Sequence, residues 1–230
     1  MKTIGLLGGT SWPSTFLYYD YINRKIAQHF GGYHSAEIIL YSIDYHEIKS
    51  LYNTPDGWKK IPQILLAKYK HLEKMKPDCI LICNNTLHRA LPEIRAQFDT
   101  DIPLIDIVSS TGKQAKTLGL KKLLFTGTQF TMEDTFFTDR LQKEYGLEIN
   151  IPTQEDRANI QAIQTAVSTG NQTDEHQGQF TEIIKNYPDY DGVILACTEL
   201  PLVARPDDFD IPLINTIYAQ CDEALAFTLD

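Results

Sequence analysis

The sequence predicts an α/β protein of two similar subdomains with parallel sheets, related by a pseudo-two-fold, with the active site in the cleft between them. Three observations predict it. Short apolar runs alternate with longer segments of helical spacing, the βαβ rhythm of a parallel sheet. The stretch DCILICNNT from Asp78 matches DGVILACTE from Asp191, apolar position on apolar position, at an offset of 113. DIPLID from Asp101 then matches DIPLIN from Asp210 at an offset of 109, and Gly9-Thr10 matches Gly127-Thr128 at 118. Matches in one order at nearly one spacing signal two copies of one unit.

The elements follow in order. IGLLGG reads as the first strand, Trp12 to Phe30 as a helix, AEIILYSID as the second strand, Trp58 to Met75 as a helix and DCILIC as the third strand. The rhythm resumes with PLIDI, a helix from Ser110 to Leu118, the strand KLLFTG, a helix through Met132 to Tyr145, and the strand GVILAC. The expected division is 1–100 plus 211–230 for the first subdomain and 101–210 for the second.

With 30 acidic residues against 21 basic, a net charge of -9, the chain has no broad basic face for a phosphate backbone, so nucleic acid is not an expected partner. An acidic small molecule remains compatible, because helix N-termini and backbone N–H groups make a local pocket positive. No stretch approaches the ~18 apolar residues of a membrane span. MKTIGLLGGT is too short for a signal peptide, and the four cysteines show no C-x-x-C pairing. A cytoplasmic, reduced protein is expected.

Function is sought at the carboxyl ends of the strands. These read Gly8-Gly9-Thr10-Ser11, Asp44, Asn84-Asn85-Thr86, Gly127-Thr128 and Cys197-Thr198-Glu199. Cys197 falls where a strand gives way to a helix, so a helix N-terminus and a polar surrounding would lower its pKa toward thiolate; a small buried residue is the alternative. The repeat puts Asn84, not Cys83, at the position equivalent to Cys197. Cys83 then points to the other face of its strand, with Cys79, and both read as core in preference to a zinc site. Cys221 reads as packing in a C-terminal helix. Gly8 and Gly9 suit a tight turn presenting N–H groups to an anion, though not as a dinucleotide or P-loop fingerprint. Ser14-Thr15 and Asn85-Thr86 read as helix caps able to turn toward a carboxylate. His88, Asp44 and His46 are further candidates, each with a structural alternative.

IGLLGGTSWPST, NNTLH, GTQFTME and ACTEL together resemble the aspartate/glutamate/hydantoin racemases, in their aspartate racemase branch, over almost the whole chain. The resemblance implies an isomerase without pyridoxal phosphate, metal or other cofactor, in which two cysteines exchange a proton at the α-carbon of aspartate, glutamate or a relative. It implies a homodimer and a small amino acid or dicarboxylate as partner. It places Cys197 and Asn84 at the catalytic positions, the latter where the family has its first cysteine. Gly9, Thr10, Ser11, Ser14, Thr15, Asn85, Thr86, His88, Thr128, Thr131, Thr198 and Glu199 fall at substrate-binding positions. Asn159 stands where the family has a carboxylate-binding lysine, with Arg157 as a partial substitute. A single-cysteine decarboxylase-type lyase, as in the related arylmalonate decarboxylases, and a non-catalytic binding relative are the alternatives.

Overall fold

The computed structural model describes residues 1–229. The elements are β1 (Ile4–Gly8), α1 (Trp12–Phe30), β2 (Ile38–Ser42), α2 (His46–Lys49), α3 (Gly57–Glu73), β3 (Cys79–Ile82), α4 (Leu91–Ile94), β4 (Leu104–Ile105) and α5 (Ile107–Thr117). They continue with β5 (Lys122–Gly127), α6 (Gln129–Glu133), α7 (Phe136–Tyr145), β6 (Glu148–Asn150), α8 (Gln154–Ser168), α9 (Asp174–Lys185), β7 (Gly192–Ala196), β8 (Leu213–Asn215) and α10 (Thr216–Leu229). The chain divides into two compact units. One comprises Met1–Ile107 and the C-terminal residues from Gln220, the other Val108–Ala219.

Each unit holds a four-stranded, wholly parallel sheet, ordered β2-β1-β3-β4 in the first and β6-β5-β7-β8 in the second. The strand orders are the same, so the sequence repeat is a structural one, down to single hydrogen bonds. Thr3 N–H donates to Asp78 Oδ2 at 2.6 Å, and Lys121 N–H donates to Asp191 Oδ2 at 2.9 Å. Ile80 N–H reaches Pro103 O at 2.9 Å, and Val193 N–H reaches Pro212 O at 3.0 Å. The repeated aspartate thus closes the start of one strand onto its neighbour, and the repeated DIP carbonyl begins the next ladder.

Those bonds also correct the division expected from sequence. β4 pairs with β3, which carries the first unit through Ile107 instead of stopping at residue 100. β8 pairs with β7, so 211–219 belong to the second unit, and the boundary falls within α10. The helix expected through Met132 to Tyr145 is two helices, broken at Asp134–Thr135.

In the first unit, α1 begins with Pro13 in its first turn and buries Ser14, Thr15, Tyr18, Ile22 and Ile26, a face at i, i+4 spacing. It stops at Gly31, φ 74°. Leu7, Ile80 and Ile82 pack with Ile61, Leu65, Tyr69 and Leu72 of α3. In the second unit β5 and β7 are buried along nearly their whole length, with Phe125, Phe137 and Phe180 fully enclosed. Among the described residues no helix is long and apolar enough to cross a membrane.

Candidate functional site

In the first unit the ends of the neighbouring strands β1 and β3 are tied together. Gly9 has φ 83°, and a Cβ there would lie 2.1 Å from Ile43 O, so only glycine allows this turn. Its N–H donates to Thr15 Oγ1 at 2.9 Å. The turn therefore does not offer that N–H to an anion, as the sequence suggested. Ser11 follows at φ 82°, a left-handed conformation costly for a residue with a Cβ, and its side chain caps nothing. Thr10 is fully buried and its hydroxyl donates to Cys83 O at 3.0 Å.

Asn84 is held from both ends of its amide. Nδ2 donates to Thr10 O at 3.1 Å, and Oδ1 accepts from Leu87 N–H at 2.9 Å. The capping expected of Asn85 and Thr86 is thus performed by Asn84, one residue earlier. His88 is buried, with Nδ1 2.7 Å from Asn84 O and Nε2 accepting from Ile107 N–H at 3.3 Å. An acceptor Nε2 places the proton of the neutral ring on Nδ1, donated to Asn84 O. His88 thereby fixes the end of β3 to the start of α5.

Two side chains at this edge are left over. Ser14 Oγ and Asn85 Oδ1 are buried and have no hydrogen-bond partner among the described residues. A buried polar atom without a partner costs about 1–3 kcal/mol, so each calls for an explanation, of which a bound water or ligand is one. Both follow adjacent strands of one sheet, and both can accept a hydrogen bond.

In the second unit β5 and β7 end side by side, Gly127 paired with Ala196. Thr128 caps α6 by accepting from Thr131 N–H at 3.2 Å, and the two hydroxyls lie 2.9 Å apart. After β7, Cys197 Sγ donates to Glu199 Oε2 at 2.9 Å, and Thr198 Oγ1 donates to the same oxygen at 2.6 Å. Cys197 is buried. Its pKa lies well above the ordinary thiol range, from burial first and then from the charge and hydrogen bond of Glu199, partly offset by the N–H groups of Glu199 and Leu200. This corrects the thiolate expected from sequence. Only the short 3₁₀ turn Leu200–Leu202 follows the strand, and a carboxylate stands against the sulfur. Cys197 is a thiol with a proton acceptor already in contact.

The remaining candidates are placed as follows. Cys79, Cys83 and Cys221 are buried free thiols, and burial pushes Cys79 up to about 12 and raises the other two as well. Among the described residues no set of three or more His, Cys, Asp and Glu side chains gathers to hold a metal. Asp44 accepts from His46 N–H at 3.0 Å in an exposed turn. Arg157 is engaged by Glu133 Oε1 at 3.3 Å and Pro152 O at 2.8 Å, which ties up the proposed substitute for the lysine. Asn159 is exposed, lining a cavity of about 410 Å³ between α8 and α9 with His176 and Gln179. The role of Glu199 as partner of the thiol was not legible in sequence, although its place two residues after Cys197 was the available signal.

The chain is thus a duplicated α/β protein with parallel sheets and, at a strand end of its second unit, a buried cysteine hydrogen-bonded to a carboxylate. The family Asp/Glu/Hydantoin racemase matches residues 7–224, and the chain belongs to that family. A candidate Asp/Glu racemase from Yersinia pestis is 33% identical, with a TM-score of 0.91 and full coverage of both chains. An aspartate racemase homologue from Pyrococcus horikoshii OT3 is 28% identical, with a TM-score of 0.87, again over both whole chains. The glutamate racemase of Actinobacillus pleuropneumoniae serotype 5b (strain L20) is 24% identical over 146 residues, 63% of this chain. That match spans 54% of the relative's own length.

Proposed function

We propose that the protein is a cofactor-independent racemase or epimerase of aspartate, glutamate or a related acidic amino acid, with Cys197 as the acid/base. The observation that carries this reading is the hydrogen bond from Cys197 Sγ to Glu199 Oε2. Glu199 takes the thiol proton, and the thiolate then removes the α-hydrogen of the substrate. The Cα–H electron pair passes into the α-carboxylate as an enediolate, and the proton resides on sulfur. Inversion needs a proton on the opposite face, which water supplies, and the proton held on Glu199 neutralises the hydroxide left; when the other enantiomer reacts, Cys197 S–H gives its proton to carbon instead. Asn84 orients substrate or a water at the position where the family resemblance expects a second thiol. Ser14 Oγ and Asn85 Oδ1, buried without partners among the described residues at the strand ends of the first unit, are acceptors able to take a donor group.

The test is incubation with L- and D-aspartate and glutamate in deuterated buffer, followed by ¹H NMR. Loss of the α-proton signal with the unmodified protein and not with Cys197→Ala supports the reading; exchange that survives Cys197→Ala removes Cys197 from the role of base.

A second reading rests on Asn84, whose amide is committed to Thr10 and Leu87 and exchanges no proton at neutral pH. One thiol suffices to protonate the enediolate left by decarboxylation of a malonate. Carbon dioxide release from substituted malonates, without α-hydrogen exchange of amino acids, selects this lyase reading.

A further inference from the structure

Helix α9 has a polar stripe beside the face it gives to the core. Phe180, Ile183 and Ile184 are buried, while Asp174, Gln177, Gly178, Thr181 and Lys185 follow one another at i, i+3, i+4, i+7 and i+11, along one side of the helix. Together with Arg205 and Asp208 of the loop that follows β7, this stripe lines a cavity of about 470 Å³, the size of a small-molecule site. Gln177 Nε2 donates to Asp208 Oδ2 at 2.6 Å and joins the helix wall to the loop wall.

Two residues of the wall are not accounted for by the fold. Gly178 sits in the interior of α9, where glycine is a poor helix former, yet no neighbour requires it: a Cβ there meets nothing within 4 Å. Thr181, one turn further on, is 8% exposed, and its hydroxyl has no hydrogen-bond partner among the described residues. The glycine keeps the floor of the cavity clear. The threonine adds hydrogen-bonding capacity beside it.

The charges say what fits. Arg205 and Asp174 approach only to 4.0 Å, too far for a hydrogen bond, and both are exposed. Such a pair contributes little, so opening it costs little. The other charges are engaged more closely, Lys185 by Glu182 at 3.3 Å and Asp208 by Gln177. A simple anion on Arg205 would face the charge of Asp174, and a simple cation on Asp174 would face that of Arg205. A molecule that carries both charges a few bonds apart replaces one loose pair with two charge-assisted contacts.

We propose that this cavity is a second ligand site, which takes a free α-amino acid as its zwitterion, carboxylate on Arg205 and ammonium on Asp174, with the side chain lying over Gly178 toward Thr181. The site lies wholly within the second unit, shares no residue with the Cys197 and Glu199 pair, and does not depend on the reaction proposed for that pair.

Titration of the full-length ¹⁵N-labelled chain with glycine, followed by ¹H–¹⁵N NMR, tests it. Saturable shifts are expected at the amides of Gly178 and Thr181, with acetate and methylammonium each binding at least about tenfold more weakly, as the loss of one charged contact requires. Arg205→Ala should weaken glycine binding by about 10- to 100-fold. Gly178→Leu fills the open space with a better helix former, so it should abolish binding without lowering the thermal midpoint. Cys197→Ala should bind glycine as the unmodified protein does, which separates this site from the one proposed for racemisation. The absence of a saturable shift at Gly178 and Thr181, acetate binding as tightly as glycine, binding unchanged in both Arg205→Ala and Gly178→Leu, or binding lost in Cys197→Ala overturns the proposal.

Discussion

Cys197 Sγ and Glu199 Oε2 lie 2.9 Å apart, donor to acceptor, so the thiol is at once harder to ionise and next to the group that can receive its proton. These two consequences of one contact pull apart when the carboxylate becomes an amide. Glu199→Gln removes the negative charge that raises the thiol pKa, and each unit of lowering gives about tenfold more thiolate near neutral pH. Alkylation of Cys197 by iodoacetamide, followed by mass spectrometry, should therefore speed up. Substrate α-hydrogen exchange should slow by about 10²–10⁴-fold, the usual contribution of a general base. A variant that exchanges at the original rate would deny Glu199 this role.

The amide of Asn84 is a structural clamp, and that frames a second substitution. Asn84→Ala gives up the bond to Thr10 O and the cap on Leu87 N–H, and is expected to cost about 1–2 kcal/mol in chemical denaturation. Asn84→Cys should cost a similar amount while adding a thiol where the family resemblance expects one. With one thiol, exchange of L- and D-substrate should be unequal; with Asn84→Cys the disparity should narrow. Equal exchange of both enantiomers by the unmodified protein would show that a second thiol is not what is missing.

Much of the fold was legible because the repeat encodes hydrogen bonds as well as apolar pattern. Asp78 and Asp191 stood out in sequence as matching letters, and each receives the backbone N–H of a neighbouring strand. The two DIP segments matched because each proline carbonyl starts a ladder. β6 was invisible, since three residues with one buried side chain make no periodic signal, and α8 and α9 were not resolved from their surroundings. In the strand-end loops the sequence shows the residue types but not their hydrogen-bond partners. Thr10, Thr15 and His88 carry the residue types of a binding site, yet their polar atoms are engaged within the first unit. Which hydroxyl or amide remains over, as with Ser14 and Asn85, depends on packing that spacing alone does not determine.

Gly9 and Gly31 both have positive φ, 83° and 74°, in different surroundings. A Cβ on Gly31 meets nothing within 4 Å, whereas one on Gly9 strikes Ile43 O at 2.1 Å and Ile43 N at 2.5 Å. Gly31→Ala is expected to cost about 1–3 kcal/mol, because φ 74° with ψ -173° is a region essentially confined to glycine. Gly9→Ala adds the collision with backbone that cannot rotate away, for about 2 kcal/mol or more, and displaces the turn that precedes Ser11 and Ser14. Denaturant melts of the two variants compare the terms directly. Equal stabilities would mean that the Gly9 turn relaxes freely.

All four cysteines are buried, and all have pKa values raised by burial as the largest cause. In the unfolded chain they ionise near the ordinary thiol pKa of about 8.5. Between that pH and the higher folded values, the native state holds protons that the unfolded state has released. Stability therefore stays constant with respect to these groups below about pH 8 and falls as pH rises above it. The slope is at most about 1.4 kcal/mol per pH unit for each thiol, reached when the unfolded thiol is ionised and the folded one is not. Thermal melts from pH 7 to 10 should show a falling midpoint beginning near pH 8.5. Replacing Cys79 and Cys221 by alanine should lower stability at pH 7 through lost packing and make the alkaline decline shallower by up to two protons. A decline of unchanged steepness in the double variant would assign it to other groups, of which Tyr18 and Tyr69, also raised by burial, are next in pH order.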